Sequence, residues 1–369
     1  MRYAYRKKTY IFLFTVLDRL GGVLLKPFRR AGRELPASLK SVLLIRVDHI
    51  GDVIASTAAL KPLKEAFPEA RVDLMTSSDG YELVKGSPWV DNIIKFDAPW
   101  FSRERRGFIS GVKGFFRMRG LMRRGGYDAA VDLRGDARHI AAMFLSGLRR
   151  TISYGITGGG FLLTDEVPWA PQEHETDRNM ALLAPLGVAD KSGEVDIRYD
   201  ERDAEEAAAL LRREGVSGGY AVLHVAPGHG AKTWKKKDFA EVLRHLSANR
   251  SLAPVLVGAS TDSAQVREVI GLSGSKAFDL SGKTRLGMLG PIFKGASVFI
   301  GVDSGPAHIA AATGIPTVIL FSGVNDPMRW APRGDNVRLV YPGPGMTLSD
   351  VGPGDVCRVI DEVLGSGQV

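Results

Sequence analysis

The sequence predicts an α/β protein built from two successive Rossmann-like halves. Two observations carry that prediction. Short apolar runs of strand length alternate with helical stretches between residues 40 and 154. The same alternation restarts at Tyr220, after a polar segment punctuated by Pro168, Pro171 and Pro185. Alternation of this kind builds a parallel sheet with helices on both faces. At 369 residues the chain is long enough for two domains of ordinary size.

The elements follow in order. Residues 1–39 are a basic, partly apolar extension. Its run Tyr10-Ile-Phe-Leu-Phe-Thr-Val-Leu17 is too short to span a bilayer, which needs about 20 apolar residues, and Asp18 and Arg19 interrupt it. No small-residue cleavage site follows, so an amphipathic segment on an anionic membrane face is expected. Residues 40–190 form the first half, with strands over 40–46, 71–75, 92–96, 127–133 and 152–154. A helix over about 54–67 is closed by Pro68. Residues 191–217 connect the halves, and 200–214 read as a polar helix. Residues 218–345 form the second half, with strands over 220–225, 254–257, 276–279, 298–302 and 317–321 and helices over 239–246, 262–270 and 286–294. Residues 346–369 hold a closing helix over 355–364 and a tail.

Charge is unevenly spread. The net charge is +8, and the first 40 residues hold ten Lys and Arg against Asp18 and Glu34; the rest of the chain balances at 39 basic and 39 acidic residues. Residues 99–126 carry eight Lys and Arg against Glu104 alone, interleaved with Phe101, Phe108, Phe115 and Phe116. This suits a membrane surface or an anionic acceptor. Nucleic acid is not expected, because no reader motif accompanies the patch. Cys357 is the single cysteine, which excludes an intrachain disulfide and suits a reducing compartment. The histidines show no metal-ligand spacing, so no metal is expected.

Ligands of open α/β sheets bind beyond the carboxyl ends of the strands. The strand over 298–302 runs into Asp303-Ser-Gly-Pro-Ala-His308 and a helix that Gly314 ends. Ser304 is expected to cap that helix, Gly305 to let a group approach its backbone, and Pro306 to sit in its first turn. Free N–H groups and a partial positive charge make a helix start a phosphate site, here flanked by Asp303 and His308. There is no GxGxxG after the first strand, and no GxxxxGK[ST] or GxSxG, which disfavours dinucleotide oxidoreductases, P-loop NTPases and α/β-hydrolases.

Five motifs stand in order: Asp48-His-Ile-Gly-Asp-Val53, Asp132-Leu-Arg-Gly-Asp136, Pro227-Gly-His-Gly-Ala-Lys-Thr-Trp234, Asp279-Leu-Ser-Gly-Lys283 and Asp303-Ser-Gly-Pro-Ala-His308. Together, over about residues 40–365, they resemble glycosyltransferase family 9, the heptosyltransferases of lipopolysaccharide core assembly. The resemblance implies a GT-B architecture, two Rossmann-like domains with parallel sheets facing across a cleft. It implies a nucleotide-sugar donor, most simply ADP-heptose, on the C-terminal domain and a lipid-linked saccharide acceptor on the N-terminal one. It also implies inversion at the anomeric centre, no metal or other cofactor, and work at the cytoplasmic face of an anionic membrane.

Residue by residue, Asp52 would be the general base that takes the proton of the attacking hydroxyl. Lys232 would neutralise the leaving diphosphate. Asp303 would contact the donor sugar or orient its loop, and Ser304, Gly305, Pro306 and His308 would hold phosphate. Gly228 and Trp234 belong to the lysine loop, and Lys283 is a further phosphate candidate. Arg134 and Asp136 would face the acceptor, with His49 and Gly51 lining the cleft beside Asp52. Lys235 stands where the family often has proline. The competing readings are a GT-B-fold sugar-nucleotide epimerase and a non-catalytic saccharide-binding protein.

Overall fold

The computed structural model describes residues 8–24, 39–102, 107–189, 193–226 and 232–365. The chain divides into two compact units. One takes residues up to 81 and 87–196; the other takes 82–86 and 197–369.

The first unit holds α1 (Lys8–Leu24), β1 (Ser41–Arg46), α2 (Ile50–Thr57), α3 (Leu60–Ala66), β2 (Arg71–Thr76), most of α4 (Ser78–Val84), β3 (Asn92–Lys95), α5 (Phe108–Gly125), β4 (Ala129–Asp132), α6 (Ala137–Ser146), β5 (Arg150–Ser153), β6 (Asp165–Glu166) and α7 (Glu175–Ala181). Its strands are all parallel, in the order β3-β2-β1-β4-β5-β6. This is the doubly wound order, whose reversal point lies between β1 and β4. Every residue of β1 is buried. Leu43 and Ile45 on one face of it join Met118 and Met122 of α5 and Ile140 of α6 in a common core.

The single helix expected over 54–67 is two, α2 and α3, broken at Ala58 and Ala59. Pro62 has no amide to give the Ala58 carbonyl, so the helix cannot run through. Four elements of this unit, α4, α6, α7 and β6, were not expected; β6 is only two residues long and carries no apolar run.

The second unit holds α8 (Glu201–Arg213), β7 (Tyr220–His224), α9 (Lys236–Asn249), β8 (Ala253–Val257), α10 (Ser263–Ser273), β9 (Phe278–Asp279), α11 (Leu286–Lys294), β10 (Val298–Val302), α12 (Gly305–Ala312), β11 (Thr317–Leu320), α13 (Pro327–Trp330), β12 (Val337–Val340) and α14 (Pro353–Leu364). The sheet order β12-β11-β10-β7-β8-β9 repeats the first unit's order, again all parallel. β7 and β10 are the central pair, fully buried. Their reversal point puts His224 and the turn after Val302 side by side. The edge strand β12 escaped the sequence reading because Val337-Arg-Leu-Val340 is only half-buried and short.

Candidate active site

In the first unit the site grows from the end of β1. The strand buries its whole length and ends on Arg46, whose guanidinium therefore needs partners inside the protein. Its Nε lies 2.8 Å from Asp48 Oδ1, and its Nη2 lies 2.8 Å from Asp52 Oδ1 and 3.3 Å from Glu175 Oε1. Nη1 donates to the Leu133 carbonyl at 2.7 Å. Arg178 Nη1 holds the other oxygen of Glu175 at 2.8 Å. Arg134 pairs with Asp48 and lies over the Phe101 ring, 4.2 Å from its centre. Asp52 and Gly51 occupy the first turn of α2, with His49 at the N-cap position. The His49 side chain is 73% exposed, with Nδ1 3.7 Å from Asp52 Oδ2.

The two aspartates titrate apart. Burial, and then the Asp48 carboxylate, push Asp52 up to about 7 against the pull of Arg46. Burial also opposes charge on Asp48, but Arg46 and Arg134 more than reverse it and hold Asp48 below the ordinary carboxylate range. One carboxyl is thus fixed as an anion while its neighbour changes protonation near neutrality, the usual arrangement of an acid–base site.

The loop after β4 is set by Asp132, which is fully buried. Its Oδ2 accepts from the amides of Gly135 and Asp136 and from Ser153 Oγ, and its Oδ1 meets His139 Nδ1 at 2.8 Å. Gly135 has φ +79, and a Cβ there would lie 2.7 Å from the Tyr154 carbonyl, so the turn requires glycine. This loop delivers Arg134 to Asp48. Asp136 has another job: its carboxylate accepts from the Arg138 amide as the N-cap of α6 and pairs with the Arg138 side chain at 2.6 Å.

Asp48, His49 and Asp52 offer three ligand atoms within 4.8 Å of one another. Both carboxylates already touch guanidinium groups, so Arg46 and Arg134 supply the positive charge that a cation would bring.

In the second unit, β10 runs into the Asp303–His308 turn. Asp303 is 5% exposed. Lys232 Nζ lies 2.5 Å from its Oδ2 and 3.2 Å from its carbonyl oxygen, and Asn325 Nδ2 donates to the same Oδ2 at 2.9 Å. α12 begins at Gly305 with Pro306 in its first turn, and His308 follows half-buried. Ser304 stands at the N-cap position but does not cap. Its hydroxyl donates to the Val302 carbonyl at 3.0 Å and lies 3.1 Å from His224 Nδ1. Burial pushes His224 down to about 4, with Asp262 pulling the other way, so the ring is neutral at pH 7.

Two further sequence candidates have partners within the protein. Trp234 is fully buried, donates its indole N–H to the Val351 carbonyl at 3.0 Å and packs edge-on against Phe239. Lys283 pairs with Glu214 at 2.7 Å on the surface, outside the Asp303 turn. Gly228 lies outside the described residues. The sequence reading passed over Arg46, Glu175, Asn325 and His224. Arg46 left one signal, a charge ending the apolar run Val42–Ile45 two residues before an acid; Glu175 and Asn325 left none.

A model of glycosyltransferase family 9 (heptosyltransferase) matches residues 115–344, more than half of the chain. The chain belongs to glycosyltransferase family 9. Lipopolysaccharide heptosyltransferase 3 of Escherichia coli K12 is 28% identical over 303 residues, covering 79% of this chain and 85% of that protein. Among solved structures, the family 9 glycosyl transferase of Veillonella parvula DSM 2008 superposes with a TM-score of 0.80 at 20% identity, over 91% of this chain and 100% of the other. The E. coli ADP-heptose lipopolysaccharide heptosyltransferase II gives 0.71 at 19% identity, over 88% and 98%. The fold is accordingly GT-B, and this family 9 protein is a glycosyltransferase of the heptosyltransferase type.

Proposed function

We propose that this family 9 enzyme transfers a heptose from ADP-heptose to a lipopolysaccharide-core or other lipid-linked saccharide, with inversion, without a metal, at the cytoplasmic face of the membrane. The donor and acceptor are those in the names of its relatives. The observation that carries the mechanism is Asp52, poised near neutrality by burial and by Asp48 while Arg46 holds it in place.

Asp52 takes the proton of the acceptor hydroxyl as that oxygen bonds to C1 of the heptose. The bond from C1 to the diphosphate breaks on the opposite side, and ADP leaves. Lys232, oriented by Asp303 and Asn325, offsets the charge that builds on the departing diphosphate. Neutral His224 fixes Ser304 at the start of α12, whose backbone N–H groups suit phosphate oxygens.

The test is Asp52→Asn, which keeps size and removes the base. Turnover should fall roughly 10²–10⁴-fold while ADP-heptose binding, read by calorimetry, is retained. Undiminished turnover rejects Asp52 as the base, and a chain that never binds ADP-sugar rejects the donor.

A further inference from the structure

α1 turns large apolar side chains to solvent. A surface helix normally turns its apolar stripe to the core and its polar face to water. Here the side facing the protein carries Asp18 and Gly21 beside the half-buried Ile11. Asp18 is 6% exposed and its Oδ1 accepts from the Gly159 amide at 2.8 Å. Gly21 sits so close to Phe161 that a Cβ would lie 2.4 Å from the ring. The outer side carries Phe12 at 72%, Leu20 at 55%, Val23 at 73% and Leu24 at 70% exposure.

A second exposed apolar set lies on α5. Phe108, Ile109, Val112 and Phe116 are exposed there among the exposed Lys113, Arg117, Arg123 and Arg124. The two helices are joined by contacts within one unit: α1 packs on the turn Gly160–Leu162, that turn packs on α6, and α6 packs on α5.

We infer that the outward stripe of α1 and the exposed N-terminal half of α5 together form the surface by which the first unit docks on an anionic lipid bilayer. The inference deepens the membrane-face reading above and rests on it. Charge selects the occupant. The first 40 residues contain the whole net charge of +8, and residues 99–126 have eight basic residues against one acid. A second copy of the chain would bring the same positive surface against this one and be repelled, whereas anionic headgroups complement it. Length selects the mode. Seventeen residues of helix reach about 25 Å, short of the ~30 Å hydrocarbon core. Among the described residues, no helix is long and apolar enough to cross a membrane. The helix therefore lies in the interface, apolar stripe down, as basic amphipathic helices do.

The test is flotation of the full chain with vesicles of phosphatidylethanolamine and phosphatidylglycerol, compared with vesicles of phosphatidylcholine alone. Two double variants are compared with the parent: Phe12→Glu with Leu20→Glu on α1, and Phe108→Glu with Phe116→Glu on α5. The parent should float with the anionic vesicles at least tenfold more than with the neutral ones, and each double variant should lose most of that binding. ADP-induced thermal stabilisation and turnover on a delipidated, water-soluble saccharide should be unchanged in both, which separates loss of docking from loss of fold. Undiminished flotation of the variants overturns the inference. So does sedimentation of the parent as a dimer that the α1 variant abolishes, since the stripe would then be a subunit interface. Parent flotation without any transfer to a lipid-linked acceptor would leave the docking surface standing and reject the acceptor instead.

Discussion

As the proposed base, Asp52 would meet two demands that usually conflict: it must hold a proton loosely enough to be empty at neutral pH and tightly enough to take one. Burial and Asp48 raise its affinity for a proton, and Arg46 limits the rise, leaving it at about 7. The sign of the resulting pH dependence follows. Below 7 the carboxyl is protonated and cannot act, so kcat/KM should fall about tenfold per unit below that value and level off above it. Arg46 pulls the value down, so weakening its grip must move the limb up. Arg46→Lys keeps the charge but loses the fork that reaches Asp48, Asp52 and Glu175 at once. Its limb should move to higher pH and its kcat fall, with the KM for donor unchanged; a limb that stays in place would remove Arg46 from the positioning of the base. Asp52 was singled out through the resemblance of the Asp48–Val53 motif to family 9, and the structure places it in the first turn of α2 against Arg46. Glu175 was not, since it meets Arg46 from 129 residues along the chain and nothing near it in sequence says so.

At the scale of elements, the strands were legible because parallel strands are buried on both faces and read as unbroken apolar runs. Val298–Val302 emerged with the expected bounds. The short or half-buried pieces, β6 and β12, lack that signature. Turn chemistry misled at Ser304, where the residue type suits a cap but the neighbouring strand offers His224 and the Val302 carbonyl instead. That pairing of β7 with the turn after β10 makes a stability prediction. His224 has a folded value of about 4 and an ordinary value of about 6.5 when unfolded. Between those values the unfolded chain binds the extra proton, so the second unit loses stability as pH falls from 6.5 towards 4, by at most about 1.4 kcal/mol per unit from this group. Chemical denaturation at pH 7.5 and 5 should show that loss, and His224→Gln should flatten it while lowering stability at pH 7.5. An equal pH slope in the variant would mean the imidazole is not held neutral.

The whole molecule divides its labour by unit. The first carries Asp52 with its Arg46 cluster, the basic surface and α1; the second repeats the same sheet order around its own core and presents Lys232, Asp303 and the start of α12. Repetition of one sheet order within a single chain explains why fold class was plain in the sequence: the same alternation was written twice. The fold by itself names no function, since it hosts many chemistries; the five loop motifs carried the reading of a family 9 glycosyltransferase. If donor binding belongs to the second unit alone, a nucleotide must stabilise that unit selectively. ADP at 100 times its dissociation constant should add about 2.7 kcal/mol to the unit that binds it. Amide exchange should then slow in β7, β10 and α12 and stay as it was in β1 and β4. Protection confined to β1, β4 and α2 would move the donor to the first unit, and Lys232 and Asp303 would then be left as a structural ion pair with no leaving group to neutralise.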